Sequence, residues 1–275
     1  LAVPQVDPES WQLEVFGRVA KPLTLSFEDF LRRPMIERDI TLSCVSVEVG
    51  GNLNGTARWL GVPLKDLLDE VQPEAGADQL VSRSADGWTC GTPTAACRDG
   101  RAAMLAVAMN GEPLPVDHGF PVRMLVPGLY GYVSATKWIT EIELTTFADF
   151  DSYWTERKWA PQAPVKTFSR IDTPKPFADV KAGANVVAGI AYRQHTGIKA
   201  VEVRIDNGPW QQAKLAAVPN DDTWVQWQLR WDATPGPHTL VCRATDKNGE
   251  TQPEERVKPF PNGATGWHSV VATVA

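Results

Sequence analysis

The chain has 275 residues, 43% hydrophobic and 22% charged, a length that suggests about two domains and a composition that excludes disordered and collagen-like chains. Its 27 Lys and Arg against 33 Asp and Glu leave a net charge of −6, and no basic run is present to follow a phosphate backbone, so nucleic-acid binding has no electrostatic support. The longest apolar stretches, such as Met104–Met109, fall far short of the ~20 residues that cross a bilayer, and the four cysteines match neither a disulfide framework nor a zinc pattern.

In chain order, Trp11–Val15 reads as a first strand. Ser26 then stands as an N-cap before Phe27-Glu28-Asp29-Phe30-Leu31, a short helix. Ile40–Cys44 reads as a strand, and the Gly- and Asn-rich stretch from Val45 to Gly55 cannot continue it far. Pro63 opens a second short helix, Leu64-Lys65-Asp66-Leu67-Leu68. Asn110-Gly111 marks a tight hairpin, followed by strands at Val122–Val126 and Trp138–Leu144. This half is α+β. The boundary is expected in Phe168–Pro176, where two prolines without periodicity suggest a stiff linker, giving domains 1–167 and 168–275.

The second half reads as all-β. In Trp224–Trp231, Val225, Trp227, Leu229 and Trp231 share one face while Gln226, Gln228 and Arg230 take the other, the period of a half-buried strand. The alternation recurs in Val201–Ile205, Leu240–Ala244 and Val270–Val274. Turn clusters punctuate it at Asp206–Pro209, Pro235-Gly236-Pro237 and Asn248-Gly249. An immunoglobulin-like sandwich follows.

Cys44 ends its strand, and parity with Ile40 and Leu42 puts it on the apolar side. Taken alone, such a cysteine is most often a small buried hydrophobe. Its context points elsewhere. Thr41-Leu42-Ser43-Cys44, then Gly55-Thr56-Ala57-Arg58-Trp59-Leu60-Gly61-Val62-Pro63-Leu64-Lys65-Asp66-Leu67-Leu68, is followed by Asn110–Pro115, Asp117-His118-Gly119-Phe120-Pro121-Val122-Arg123, Val126-Pro127-Gly128 and Lys137-Trp138. In this order the series resembles the cofactor domain of the sulfite oxidase family. Asp151–Trp154, Gly189–Tyr192, Val201–Asp206, Gly208-Pro209-Trp210 and Gly266-Trp267-His268 extend the resemblance into that family's dimerisation domain, over nearly the whole chain.

The resemblance implies a molybdenum-molybdopterin cofactor with Cys44 as metal ligand and catalytic residue. A soft thiolate suits a metal otherwise held by the pterin's dithiolene sulfurs. Arg123 and Lys137 would hold the pterin phosphate, His118 would hydrogen-bond the pterin, and Ser134 to Lys137 would close around the phosphate. Ser84 joins them from its place after Leu80-Val81 at a strand end. Taken singly, Arg123 and Lys137 would be surface charges and His118 a turn residue; their ordered co-occurrence is what singles them out. Arg58 is read as anchoring the loop after Cys44, and Trp59, Trp88 and Tyr130 as core rather than as a relay. Cys90 and Cys97 could pair in an oxidising compartment, and Cys242 is read as buried.

Two positions depart from sulfite oxidases. Those enzymes carry an arginine five residues after the ligand cysteine, where Val49 stands here, and a tyrosine in the stretch that here reads Gly87–Pro93. Both lie on the substrate side, because an entering dianion needs compensating charge. The implied activity is therefore two-electron redox or oxygen-atom transfer on a small sulfur- or nitrogen-containing molecule or an oxidised side chain. A sulfite-oxidising enzyme with an altered anion pocket and a non-catalytic assembly module with a degenerate cofactor domain are the alternatives. Without a C-x-x-C-H haem motif, a separate redox partner is expected, haem-bearing or membrane-embedded. The resemblance to bacterial extracytoplasmic members, such as a methionine sulfoxide reductase component, implies the same compartment, and a homodimer is a further expectation. The start at Leu1, with no leader pattern, suggests a mature or trimmed piece whose anchor and further pterin-binding groups lie upstream.

Overall fold

Alternation and turn chemistry generate most of the architecture of the computed structural model, which describes residues 3–275. The first half contributes β1 (Gln12–Gly17), β2 (Leu23–Ser26), α1 (Phe27–Leu31), β3 (Ile36–Ser43), β4 (Asn54–Pro63), α2 (Leu64–Val71), β5 (Gln79–Ser84), β6 (Thr89–Pro93), β7 (Met104–Met109), β8 (Glu112–Pro113), β9 (Arg123–Leu125) and β10 (Ile139–Thr145). One sheet has the order β2-β1-β10-β5-β6, with β1 and β10 parallel; the other runs β3-β4-β7-β8 and adds β9 on β7. Ser26 caps α1 by accepting from the Asp29 N–H at 3.1 Å, worth ~1 kcal/mol. Pro63 is the N-cap of α2 rather than its first helical residue. Asn110 and Gly111 both take positive φ, 56° and 84°, the twist a two-residue hairpin between β7 and β8 needs.

The second half contains β11 (Phe168–Thr173), β12 (Asp179–Val180), β13 (Gly183–Tyr192), β14 (Ile198–Ile205), β15 (Trp210–Gln212), β16 (Lys214–Leu215), β17 (Val225–Ala233), β18 (Gly236–Asp246) and β19 (His268–Val274). They form two sheets, β11-β13-β17-β16 and β12-β19-β18-β14-β15. Trp227 and Trp231 from one and Val203, Leu240, Cys242 and Val270 from the other meet in a shared core. The stretch expected as a linker is thus β11: Phe168 and Ile171 bury their side chains and the backbone pairs with β13, so the prolines end a strand instead of spacing two domains.

The chain divides into two units. One runs up to Cys44 and resumes over Thr56–Pro164; the other takes Val45–Gly55 together with Val165–Ala275. The short segment after Cys44 therefore packs with the sandwich. Among the described residues no helix is long and apolar enough to cross a membrane.

Candidate cofactor site

Cys44 is the first residue past β3. Ile40 on the same side of the strand is fully buried and Leu42 packs against the same core, but Cys44 is exposed, because pairing stops at Ser43 and the thiol emerges beyond the core edge. The apolar placement expected from parity does not extend to this residue. Cys90, Cys97 and Cys242 are the buried ones; desolvation raises all three thiols, Cys242 to about 12. Cys90 and Cys97 do not pair: one Sγ faces the Thr92 hydroxyl and the other donates to the Pro93 carbonyl.

The sheet whose β3 ends just before Cys44 also carries Arg123. β3, β4 and β7 are successive neighbours, and β9 on β7 places Arg123 opposite Ala106. Arg123 is only 4% exposed. Its Nη1 donates to the His118 carbonyl at 3.0 Å, its guanidinium lies 5.0 Å over the Trp59 ring, and its buried Nε has no hydrogen-bond partner. Desolvation pulls its pKa down to about 10. Trp59 is held in turn by its indole N–H on the Ile40 carbonyl at 3.3 Å, which links the guanidinium platform to the strand that ends at Cys44.

Lys137 lies beside this group. Gly119 (φ +109°) approaches so closely that an added Cβ would fall 3.0 Å from the Lys137 Cα and 3.1 Å from the Arg123 Cβ. Lys137 Nζ donates to the Asp117 carbonyl at 2.7 Å and stands 5.1 Å from the Trp138 ring. Trp138, in left-handed backbone (φ 49°), donates its indole N–H to the Val116 carbonyl at 2.8 Å. Burial, followed by the charge of Arg123, lowers the Lys137 pKa; burial, then Arg123 and Lys137, lowers that of His118, with Asp117 opposing. Among the described residues no carboxylate forms an ion pair with Arg123 or Lys137. Three basic groups thus repel one another around one place, as expected where an anion is to be bound.

Lys137, Trp138, Ser84, Asp86, Trp88 and Ala135 line a cavity of ≈ 200 Å³. The Ser84 hydroxyl donates to the Asp86 carboxylate, so Ser84 reaches this cavity as a tethered group. Ser134 is fully buried, with its hydroxyl on the Leu129 and Tyr130 carbonyls, and does not line the cavity. Arg58 is exposed and paired with Asp39 on β3, and its backbone N–H donates to Asn110 Oδ1, so it ties β4 to β3 and to the β7–β8 hairpin rather than anchoring the loop after Cys44 as expected. Tyr130 is buried, and Trp88 lies at the cavity wall. Sequence reasoning missed Trp59 as the platform beneath Arg123 and Trp138 as a cavity wall. The adjacent pairs Arg58-Trp59 and Lys137-Trp138 were a signal for aromatic–cation contact, although Arg58 is not the cation Trp59 receives.

These residues fit a phosphate-bearing metal cofactor. An orphaned buried guanidinium N–H, an ammonium and an imidazole supply donors for phosphate oxygens. Among the described residues no group of three or more His, Cys, Asp or Glu could hold a metal, so a metal at Cys44 would take its other ligands from the cofactor itself.

Comparison with known proteins bears on the same residues. The family model described as the oxidoreductase molybdopterin binding domain matches residues 1–154. Human mitochondrial sulfite oxidase is 30% identical over 98% of this chain and 59% of its own length. Nitrate reductase [NADH] 1 of Oryza sativa subsp. japonica is 26% identical over 93% of this chain and 35% of its own. The chain therefore spans less than two thirds of the length of either relative. Among solved structures, the sulfane dehydrogenase SoxCD from Paracoccus pantotrophus matches with a TM-score of 0.83 over 99% of this chain and 80% of that one, at 22% identity, a likeness of fold.

Proposed function

The chain belongs to the sulfite oxidase family of molybdopterin-binding oxidoreductases, and from that premise we propose that it is a two-electron oxidoreductase in which Cys44 is the single protein ligand to molybdenum. The observation that carries this reading is the buried Arg123, uncompensated by any carboxylate and with an orphaned Nε, beside Lys137 and His118. Burying a charge without a partner costs free energy that a fold does not retain without use, and a phosphate monoester would offset it.

When bound, the cofactor supplies oxygen-atom or two-electron transfer at the metal. Cys44 fixes the position of the metal from the end of β3. Arg123 and Lys137 hold the phosphate, and Trp59 shields the underside of the guanidinium from water. His118 and the tethered Ser84 orient the pterin side, with Ser134 shaping the turn that precedes Lys137.

The substrate is read as a small sulfur- or nitrogen-containing molecule or an oxidised side chain rather than as sulfite bound in the usual anion pocket. Val45–Gly55 contains no Lys or Arg and contains Glu48, and Gly87–Pro93 contains no tyrosine. Oxidation of sulfite in an altered pocket is the second reading, favoured by the likeness to human sulfite oxidase over nearly the whole chain. The second unit is read as an immunoglobulin-like module that supports a homodimer. The protein is assigned outside the cytoplasm, periplasmic or at the cell surface, with a separate haem or membrane electron carrier as partner.

Metal analysis tests the reading. Full-length protein made in a host that synthesises the cofactor should contain stoichiometric molybdenum, and Cys44→Ser should keep the pterin while turnover falls on the order of 100-fold or more. Protein devoid of molybdenum would overturn the enzyme reading in favour of an assembly module.

A further inference from the structure

The segment that follows Cys44 is held by residues outside the cofactor cluster. Val45 and Val47 bury their side chains, at 6% and 2% exposure, and Gly50 takes φ +83°. A Cβ at Gly50 would fall 2.3 Å from Cδ2 and Nε2 of His268, so the backbone there rests directly on the imidazole. His268 opens β19, and its Nδ1 accepts the Ile171 N–H at 3.0 Å. β11 is the outer strand of its sheet, and this bond occupies its free edge. Next to Ile171, Arg170 donates from Nη1 to the Gly51 carbonyl at 2.8 Å and to Asn54 Oδ1 at 3.0 Å, while its Nε is fixed on Asp172 at 2.8 Å. The Asn54 amide also reaches the Tyr192 hydroxyl at 3.5 Å, on a ring stacked against Phe168.

From this arrangement we infer that His268 and Arg170 are positioning residues for the metal-ligating thiol, a clamp that fixes Gly50–Asn54 and through it the residue at the head of the segment. The inference rests on the proposal that Cys44 binds the metal. Gly51 and Gly55 resist no displacement by themselves, and the segment has no strand pairing until Asn54. The two buried valines, the turn closed by the Gly51 N–H on the Glu48 carbonyl at 2.8 Å and these contacts all contribute to its order. The chemistry of the clamp is specific. His268 must be an acceptor at Nδ1, which places its proton on Nε2, against Gly50. Burial and the nearby Arg256 hold its pKa at about 4, so the ring stays neutral and the acceptor is present at any physiological pH. Arg170 must be a fork, because one nitrogen serves Asp172 while another serves two oxygens of the segment.

The mechanism assigned above leaves the ligand at the end of a strand whose pairing has stopped. A thiolate that shifts by about 1 Å costs catalysis far more than it costs cofactor retention, because retention depends on the phosphate grip. The clamp thus governs turnover rather than loading.

The test uses the full chain and the variants Arg170→Ala, His268→Ala and His268→Asn. In cofactor-free protein, amide hydrogen exchange across 45–55 should accelerate about tenfold or more in both alanine variants, with β17 and β18 unchanged. His268→Asn, which keeps an acceptor near the Nδ1 position, should stay within about twofold of wild type. In loaded protein, molybdenum content should be unchanged while kcat falls about tenfold, KM stays within about twofold and the sulfur-to-metal absorption shifts. Unchanged exchange in both alanine variants, or faster exchange with unaltered kcat and absorption, would overturn the inference. Should His268→Ala fail to fold, Arg170→Ala decides it. Wild-type protein that takes up no molybdenum refutes the functional reading alone; the exchange experiment still decides whether the clamp exists.

Discussion

Two arginines of the first unit show opposite uses of the same charge. Arg83 on β5 lies between Glu141 and Glu143 on the neighbouring β10, and its guanidinium also stands 5.5 Å from the Phe150 ring. Arg123 on β9 has an aromatic platform too, in Trp59, but only a backbone carbonyl where Arg83 has two carboxylates. The first charge is neutralised within the fold; the second is more deeply buried and is left open. The difference teaches where to look for a ligand: at the cation the fold leaves uncompensated, since such a group persists only if something outside the chain completes it.

The sharpest way to break this comparison is Arg123→Met beside Arg83→Met. Losing a buried charged contact typically costs 2–5 kcal/mol of binding, so Arg123→Met should reduce cofactor retention on the order of 100-fold, measured as molybdenum and pterin remaining after dialysis. The same change should raise the stability of cofactor-free protein by about 1–2 kcal/mol in urea unfolding, because an unpaired buried charge is removed. Arg83→Met should do the reverse, destabilising by about 1 kcal/mol as two carboxylates lose their counter-ion, with retention unaffected. If both variants lose stability and neither loses cofactor, the two sites are alike and the cofactor assignment fails.

Gly119→Ala asks whether the cations must be close. The residue needs φ +109° and has Lys137 and Arg123 within 3.1 Å of any added Cβ, so alanine should cost about 1–3 kcal/mol and lower cofactor retention while leaving Arg123 in place. Stability lost without any change in retention would make this close approach a matter of folding alone. A gentler probe is inorganic sulfate, a dianion at all working pH values. At tenfold excess over its dissociation constant it should stabilise cofactor-free wild type by about 1.4 kcal/mol and leave Arg123→Met unmoved. Equal stabilisation of both proteins would show that the anion acts elsewhere.

Much of this was legible in the residues, though unevenly. The alternation of Trp224–Trp231 and the Ser26 cap depend on local spacing, and both appear where the spacing puts them, as β17 and the start of α1. The order of the motifs around Cys44, His118, Arg123 and Lys137 was equally readable and led to the family. What local spacing does not encode is the partner across the fold. Phe168–Pro176 reads as a linker because Pro174 and Pro176 are visible and the pairing of Phe168–Thr173 with β13 is not. Parity placed Cys44 among apolar residues because a strand's last pairing cannot be read from its own side chains. The same limit hid the attachment of Val45–Gly55 to Arg170 and His268, residues more than 100 positions away. Ser134 was singled out by its neighbours, whereas its hydroxyl turns inward to the carbonyls of its own turn.

The smallest effect extends the comparison to two histidines. His238 bonds Asp206 through Nδ1 at 2.8 Å and the Thr234 carbonyl through Nε2 at 2.8 Å, two acceptors that only the protonated ring can satisfy, and these raise its pKa. His118 faces burial and two cations, and its pKa is lowered. The signs are opposite. A raised folded pKa means that the stabilisation from His238 is fully present below the unfolded value of about 6.5 and is lost as pH rises through the higher folded value. A lowered one means that the unfolded chain binds the proton more readily, so His118 destabilises the cofactor-free fold as pH falls below about 6.5. Between pH 5 and 8, His238→Asn should therefore remove stability only on the acid side, and His118→Asn should restore some there, each by on the order of 0.5 kcal/mol. Saturating sulfate should erase the His118 effect, because an anion at the cations turns the proton from a cost into a contact, and its affinity should tighten as pH falls from 7.5 to 6. A sulfate affinity that ignores pH in this range would place His118 outside the anion's reach and leave Arg123 and Lys137 to hold it alone.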